Sequence, residues 1–364
     1  MNEELLKEIV SHFAIEGELE RIETMGAGFI NDTLKVCTKG EAPDYIMQRK
    51  NHSIFPDVPA MMDNIVAVTT HLKAKVEAAG GDPMREVLTV TFTHEGKPYW
   101  KTETGDFWTM CPFIAGSVTY ERADTPALAY KGGEGIGKFQ SQLSDFEQPL
   151  AETIKGFHNI RWRFQQWDEA LKRDAAGRVA SLTTEIGWIE SRREEMLSFW
   201  ALVENGTIPT KVTHNDTKIS NILFDKDGEV LCVIDLDTVM SSTSLNDFGD
   251  AIRSYTNTGA EDDSDLSKVS MSLEMFKGYA EGYLSQRRST LTQSELDWLA
   301  FSARYITYEQ VLRFLMDYID GDTYYRITSP DHNLVRTHAQ YKLLQSMEEQ
   351  YEAMCEVVLN AAGK

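Results

Sequence analysis

The hydrophobic periodicity of this chain changes at Pro112, and that change limits the possible folds more than any other feature. Up to Phe113, apolar residues come in short, strand-like runs: LERIETMG from Leu19, TLKVCTK from Thr33, YIMQRK from Tyr45, VLTVTFTHEG from Val87 and KPYWKTETGDFWTMCPF from Lys97. They predict a small, largely antiparallel sheet. Between the third and fourth runs, residues 58–79 carry apolar side chains at helical spacing and stop at Gly80-Gly81, a good C-terminal signal. One helix therefore lies against the sheet. Beyond Pro112 the spacing predicts long amphipathic helices near 127–146, 184–205, 265–284, 294–320 and 333–362, the fourth opened by the T-x-x-E capping box of Thr292 and Glu295. A single hairpin interrupts them: NILF, the turn Asp225-Lys226-Asp227-Gly228, then EVLCVIDLD. At 364 residues the chain exceeds the usual size of one hydrophobic core. An α+β molecule of two lobes is expected, with residues 1–112 sheet-bearing and residues 113–364 mainly helical.

Composition narrows the function. A formal charge of −21 repels nucleic acid and acidic membrane surfaces on average, so neither is an expected partner. An anionic substrate would need a local cationic pocket or a divalent metal to reverse that field. Cys37, Cys111, Cys232 and Cys355 form no C-x-x-C pair and suggest neither disulfides nor zinc. The acidic, helical start MNEELLKEIVSHFAIEG is unlike a signal peptide, and no apolar run reaches the roughly 18 residues of a membrane span. A cytoplasmic protein is expected.

The chemistry concentrates in VTHNDTKISNILF and in the strand after the hairpin turn, which together present Asp216, Lys218, Asn221 and Asp235. Phosphoryl transfer from ATP needs a carboxylate to accept or orient the hydroxyl proton, a cation near the moving phosphate, and hard oxygen ligands for Mg²⁺. Asp216 suits the first role and Lys218 the second, while Asn221 and Asp235 offer oxygens to the metal. Asp237, two residues on, either touches the metal or caps a turn. Asp247-Phe248-Gly249-Asp250 spells the kinase metal motif but stands too far downstream for it. Asp247, Asp250 and Arg253 are read as braces for the loop of Asp216 or as a helix start.

Met25 to Thr33 lies between two predicted strands, and glycines there let backbone N–H groups approach phosphates. Gly26, Gly28, Asn31 and Thr33 are the nucleotide-binding candidates in it. The second glycine string, Gly132 to Gly137, follows no strand and continues at helical spacing, so it is assigned to helix packing. Thr109 to Ile114 suits a hinge that pairs with adenine, with Cys111, Pro112 and Phe113 as its apolar wall.

The D-x-K-x-x-N string, the hairpin and the acidic strand end resemble the catalytic and metal-binding loops of protein-kinase-like enzymes, and the H-N-D opening resembles their aminoglycoside and choline phosphotransferase branch. That resemblance implies a protein-kinase-like fold with a small antiparallel N-lobe and a helical C-lobe. It also implies Asp216 as base, with Asn221 and Asp235 on Mg²⁺. Kinase-like proteins usually pair a third-strand lysine with a helix glutamate, and here the strand reads YIMQRK and the helix MMDNIVAV. Gln48, Arg49 or Lys50 is left for the cationic role; Arg49 is taken as the candidate.

The strings SIFPD, THNDTK, IDLDT, DFGD, RFLMDYIDGDTYY and HNLVR together look like bacterial N-acetylhexosamine 1-kinases across nearly the whole chain. This implies phosphorylation of the anomeric hydroxyl of N-acetylglucosamine or N-acetylgalactosamine by ATP and Mg²⁺. Arg313 and Tyr324, with Glu309 beside them, would bind the sugar. Glu309, Arg313 and Asp317 fall at i, i+4 and i+8 near Tyr318, Tyr324 and Tyr325, which suits a neutral polyol or else an exposed ion-pair ladder. His332 and Arg336 are read as ties for the last helix. Two other functions fit the residues: a kinase for choline, homoserine or an aminoglycoside, and an inactive binding protein on the same fold. Protein partners are left open.

Overall fold

The computed structural model describes residues 2–25 and 31–364. The chain divides into two compact units, one of residues 1–119, 145–155 and 222–240, the other of residues 120–144, 156–221 and 241–364.

In the first unit five strands, β1 (Leu19–Thr24), β2 (Asp32–Thr38), β3 (Tyr45–Lys50), β4 (Trp100–Lys101) and β5 (Phe107–Pro112), form one antiparallel sheet in the order β1-β2-β3-β5-β4. Alternation sends Leu34, Val36, Tyr45, Met47, Trp108 and Met110 to one face, where Leu6, Ile9 and Val10 of helix Glu3–Ser11 close over them. The residues between them turn to the other face. Register there pairs Thr33 with Gln48, Gln48 with Thr109, and Ile46 with Cys111.

VLTVTFTHEG, expected as a strand, does not join the sheet as one and ends in a turn at residues 94–96. The Thr91 N–H donates to the Met110 carbonyl at 2.8 Å and the Phe92 carbonyl accepts from Ala14 at 2.9 Å, with one bridge between Phe13 and Thr93. Its bonds are split between two neighbours and make no continuous ladder. Helix Val58–Ala78 forms as expected, begun by the Asp57 side chain, which accepts from the Ala60 N–H at 3.0 Å. The hairpin, Ile222–Phe224 with Val230–Val233, packs within this unit, where Phe224 and Val118 exchange backbone bonds of 2.8 and 2.9 Å.

The second unit is helical. Pro126–Gln142 packs along Leu273–Arg287, and Gln293–Ile319 packs against Ser244–Tyr255 and His332–Glu349. Three expected helices differ. The one at 184–205 breaks at Ser191-Arg192 into Thr183–Glu190 and Arg193–Glu204, where the Arg192 guanidinium leaves to grip Glu348 at 2.6 and 2.7 Å. The last breaks at Gln350, whose amide reaches the Met271 carbonyl at 2.9 Å. The 265–284 segment begins as a short 3₁₀ turn, and its helix starts only at Leu273. Helix Ile160–Arg173 was not foreseen, although Ile160, Phe164 and Trp167 are spaced for it and Asn159 caps it.

The Gly132–Gly137 string lies inside helix Pro126–Gln142, as its spacing predicts. A Cβ on Gly133 would overlap the Tyr279 carbonyl of the facing helix, and one on Gly282 would overlap the Tyr130 carbonyl. The two backbones touch. Gly133→Ala is therefore expected to lower unfolding stability by about 1–3 kcal/mol through overpacking, measured by urea denaturation, while turnover per folded molecule is unchanged.

Candidate active site

The loop carrying Asp216 takes its shape from a carboxylate. Thr243 caps helix Ser244–Tyr255, placing Asp247 in its first turn and Asp250 one turn on along the same face. Asp247 is fully buried and accepts the N–H groups of His214 at 2.9 Å and Asn215 at 2.7 Å, and the Gln140 amide at 2.7 Å. Burial pushes its carboxyl above the ordinary range, while the nearby His214 and these donors pull the other way. Asp250 accepts the Thr217 N–H at 2.8 Å. These bonds hold Asn215 at φ 66°, in the left-handed region a side chain seldom adopts. The bracing role expected of Asp247 and Asp250 is present.

So held, the loop projects Asp216, about a third exposed at its side chain, toward Asn221 and Lys218. The Asn221 Nδ2 donates to the Asp216 main-chain oxygen at 2.8 Å and to its Oδ2 at 2.9 Å, which turns the Asn221 Oδ1 the other way. The Lys218 Nζ lies 3.1 Å from the same Oδ2. Both of these side-chain contacts fall on Oδ2. The Asp216–Lys218 pair is exposed enough to contribute no more than about 1 kcal/mol.

In the first unit, the sheet face opposite the helical core brings together Thr33 and Cys111 with Gln48 and Lys50. Burial pushes the Cys111 thiol up to about 11. Asp235 stands two residues past the hairpin strand at φ 60° and opens the turn Leu236–Thr238. The Phe113 ring lies under the Lys35 ammonium at 4.5 Å. Gly26 and Gly28 lie outside the described residues. Asn31 is buried, and its amide turns to the Asp237 Oδ2 at 2.7 Å.

Arg49, taken from sequence as the phosphate-anchoring cation, turns away from this face. It shares the parity of Tyr45 and Met47, and at the strand end its half-exposed guanidinium pairs with Asp32 and lies 3.7 Å from Asp106. Lys50 is the inward cation, 4% exposed, with its Nζ 2.7 Å from the Asp237 Oδ1. The parity of Gln48 carried the signal, but alternation could not choose the face.

The expected ladder of Glu309, Arg313 and Asp317 is not one. Glu309 turns inward, bonded to the His158 Nδ1 at 2.6 Å and the Arg163 Nε at 3.1 Å, and has no exposed oxygen to offer a substrate. Burial alone would raise its carboxyl, but His158 and Arg163 override that and hold it at about 2. The other His158 nitrogen faces the Asn215 carbonyl at 3.5 Å, linking Glu309 to the Asp216 loop. Asp317 accepts the N–H groups of Thr323, Tyr324 and Tyr325 at 2.8–3.0 Å and the Asn333 amide at 2.8 Å. That folds the loop that presents Tyr324, a residue 58% exposed. Arg313 lies among the rings of Phe157, Tyr324 and Tyr325, 5.6–5.8 Å from each centroid. His332 ties its helix to Asp262 at 2.8 Å, and Arg336 bonds the Arg326 carbonyl at 3.2 Å. Sequence reasoning missed His158, Arg163 and Phe157, which stand in a stretch for which no element was predicted.

A braced Asp-x-Lys-x-x-Asn loop followed in the chain by a hairpin, an antiparallel five-stranded sheet and a helical C-terminal lobe together define a kinase-like α+β fold. The chain belongs to the phosphotransferase enzyme family (APH), whose sequence profile matches residues 21–282. Among solved structures it is similar to a microcompartment-associated aminopropanol kinase, with a TM-score of 0.66 at 15% identity over 97% of this chain and 98% of that one. An amicoumacin kinase in complex with AMP-PNP and Ca²⁺ gives 0.59 at 13% identity over 95% and 94%. A Plasmodium vivax ethanolamine kinase gives 0.56 at 14% identity over 88% and 82%. At these identities the likeness is one of fold. Among the described residues no helix is long and apolar enough to cross a membrane.

Removing Glu309 leaves His158 and Arg163 facing a buried gap. Glu309→Ala is expected to cost about 3–5 kcal/mol in urea denaturation. Because the folded carboxyl titrates at about 2 rather than 4.5, its contribution is complete above pH 4.5 and is lost as pH falls toward 2. Stability of Glu309→Gln should accordingly converge on that of the wild type below pH 4.5.

Proposed function

We propose that this phosphotransferase uses ATP and Mg²⁺ to phosphorylate a small hydroxyl acceptor, and that the acceptor is an N-acetylhexosamine converted to its 1-phosphate with release of ADP. The observation that carries the first part is the Asp216 carboxylate, held by Asn221 and Lys218 on a loop braced from behind. Asp216 takes the acceptor proton as the oxygen attacks the γ-phosphorus. Lys218 moves from the Asp216 carboxylate to the transferring phosphate and offsets its charge. The donor types fit magnesium: the Asn221 Oδ1 and the Asp235 carboxylate are hard oxygens that would hold it. When bound, the ion neutralises charge on the phosphates. Thr33 and Cys111 would serve the nucleotide, with Gly26, Gly28, Asn31 and Phe113 as further candidates.

Arg313 and Tyr324 are proposed to bind the sugar. The six sequence strings favour an N-acetylhexosamine, and a second observation supports a neutral acceptor. The aromatic cluster of Phe157, Tyr324 and Tyr325 already holds a cation, Arg313, and a second positive charge there would be repelled. The competing reading, a kinase for an amino alcohol, draws on the names of the aminopropanol and ethanolamine kinases to which the fold is similar. The electrostatics of Arg313 weigh against it.

³¹P NMR of the product formed from ATP, Mg²⁺ and N-acetylglucosamine or N-acetylgalactosamine tests the proposal; a sugar 1-phosphate signal is expected, and transfer only to amino alcohols would overturn the acceptor assignment. Asp216→Asn should leave nucleotide affinity intact and lower kcat by roughly 10² or more, the usual share of a general base. Asp235→Asn should instead raise the Mg²⁺ concentration needed for half-maximal rate.

A further inference from the structure

Lys50 is buried, and a buried ammonium needs a counter-ion. Helix Val58–Ala78 does not supply it. Its two carboxylates, Asp63 and Glu77, are both exposed, and its buried polar residue Asn64 spends its amide on the Ala151 and Val239 carbonyls at 2.9 and 3.0 Å. The counter-ion comes from the turn after Asp235. Both Asp237 oxygens face the Lys50 Nζ, at 2.7 and 2.8 Å, and the Gln48 Oε1 takes a further bond from the same ammonium at 2.7 Å. Asp237 is itself only 5% exposed.

The same carboxylate holds a second element. The Asn31 amide donates to the Asp237 Oδ2 at 2.7 Å, and the Asn31 Oδ1 accepts the Asn51 N–H at 3.0 Å. Asn31 stands at the C-terminal end of the glycine-bearing segment between β1 and β2, and Asn51 directly follows Lys50. Asp237 thus fixes the end of that segment, the end of β3 and the turn after Asp235 to one another. A residue that only capped its own turn would not reach β3.

Resting on the nucleotide-dependent reading above, we infer that Asp237 is the positioning residue for nucleotide binding: it holds Lys50 and Asn31 in place for the phosphates and does not bind the metal. Its neighbour Asp235 is left to the metal. In this chain the acid that orients the third-strand lysine therefore follows the metal-binding aspartate and does not come from the helix.

The test measures Mg·ATP binding by calorimetry, without acceptor, on wild type, Asp237→Asn, Lys50→Met and the double variant. Asp237→Asn is expected to weaken ATP binding about tenfold or more, as is Lys50→Met, and the double variant should lose little beyond either single change because the two act as a unit. The Mg²⁺ concentration for half-maximal rate and the KM of the acceptor should not move. A shifted Mg²⁺ requirement in Asp237→Asn would make it a metal ligand, and unchanged ATP affinity with a lowered melting temperature would make it a structural cap; either overturns the inference. If Asp237→Asn does not fold, Asn31→Ser, which removes one arm and spares the ion pair, should still weaken ATP binding severalfold, and unchanged affinity would overturn the inference. A wild type that bound no Mg·ATP would instead overturn the kinase reading itself.

Discussion

The geometry of the Asp216 loop depends on one buried carboxylate. Among the described residues Asp247 has no hydrogen-bonded lysine or arginine; it accepts two backbone N–H groups of the loop and the Gln140 amide, with His214 nearby. An ionised carboxyl removed from water without such donors would be prohibitively costly, so the loop must keep the conformation that supplies them. Each charge-assisted bond contributes about 1.5–3 kcal/mol, enough to offset the left-handed backbone at Asn215. Asp216 follows immediately and inherits its direction from this restraint. The first turn of a helix is a favourable place for such an acid, because its dipole already stabilises negative charge.

Three other charges of the helical unit, two buried and one partly so, also separate into distinct tasks. Glu309 is matched by His158 and Arg163, Asp317 by three loop N–H groups and Asn333, and Arg313 by aromatic faces. His158 joins two of these tasks. It touches both Glu309 and the Asn215 carbonyl, and its neighbour Phe157 lies under Arg313, so the proposed acceptor wall and the Asp216 loop share a support. In a chain with a net charge of −21, cations that face anionic groups must be held where they are needed. Lys50 is buried against Asp237, while the half-exposed Lys218 pairs with Asp216.

Much of the architecture was legible because hydrophobic period reports local geometry directly. The sheet strands, the helix from Val58 and the capping box at Thr292 could be read from spacing and caps. Long helices were legible in type and less so in extent. The breaks at Ser191-Arg192 and Gln350 arise where side chains bond to distant partners, Glu348 and the Met271 carbonyl, which no local pattern contains. The stretch VLTVTFTHEG has strand composition, yet its backbone partners are divided between β5 and the segment after the first helix.

The sequence by itself determined the α+β division, the spacing of Asp216, Lys218 and Asn221, and the presence of acids at Asp247 and Asp250, since these depend on residue type and short separation. Tertiary structure alone decided which way side chains turn. Strand alternation makes Arg49 and Lys50 opposite but does not say which shares the face of the core; the core under helix Glu3–Ser11 claims the parity of Tyr45 and Met47, and Lys50 takes the other face. Helical spacing likewise aligns Glu309, Arg313 and Asp317, yet each finds a different partner because three different segments pack beside them. Partner choice is a matter of long-range contact, and a pattern with a period of two or 3.6 residues carries no information about it.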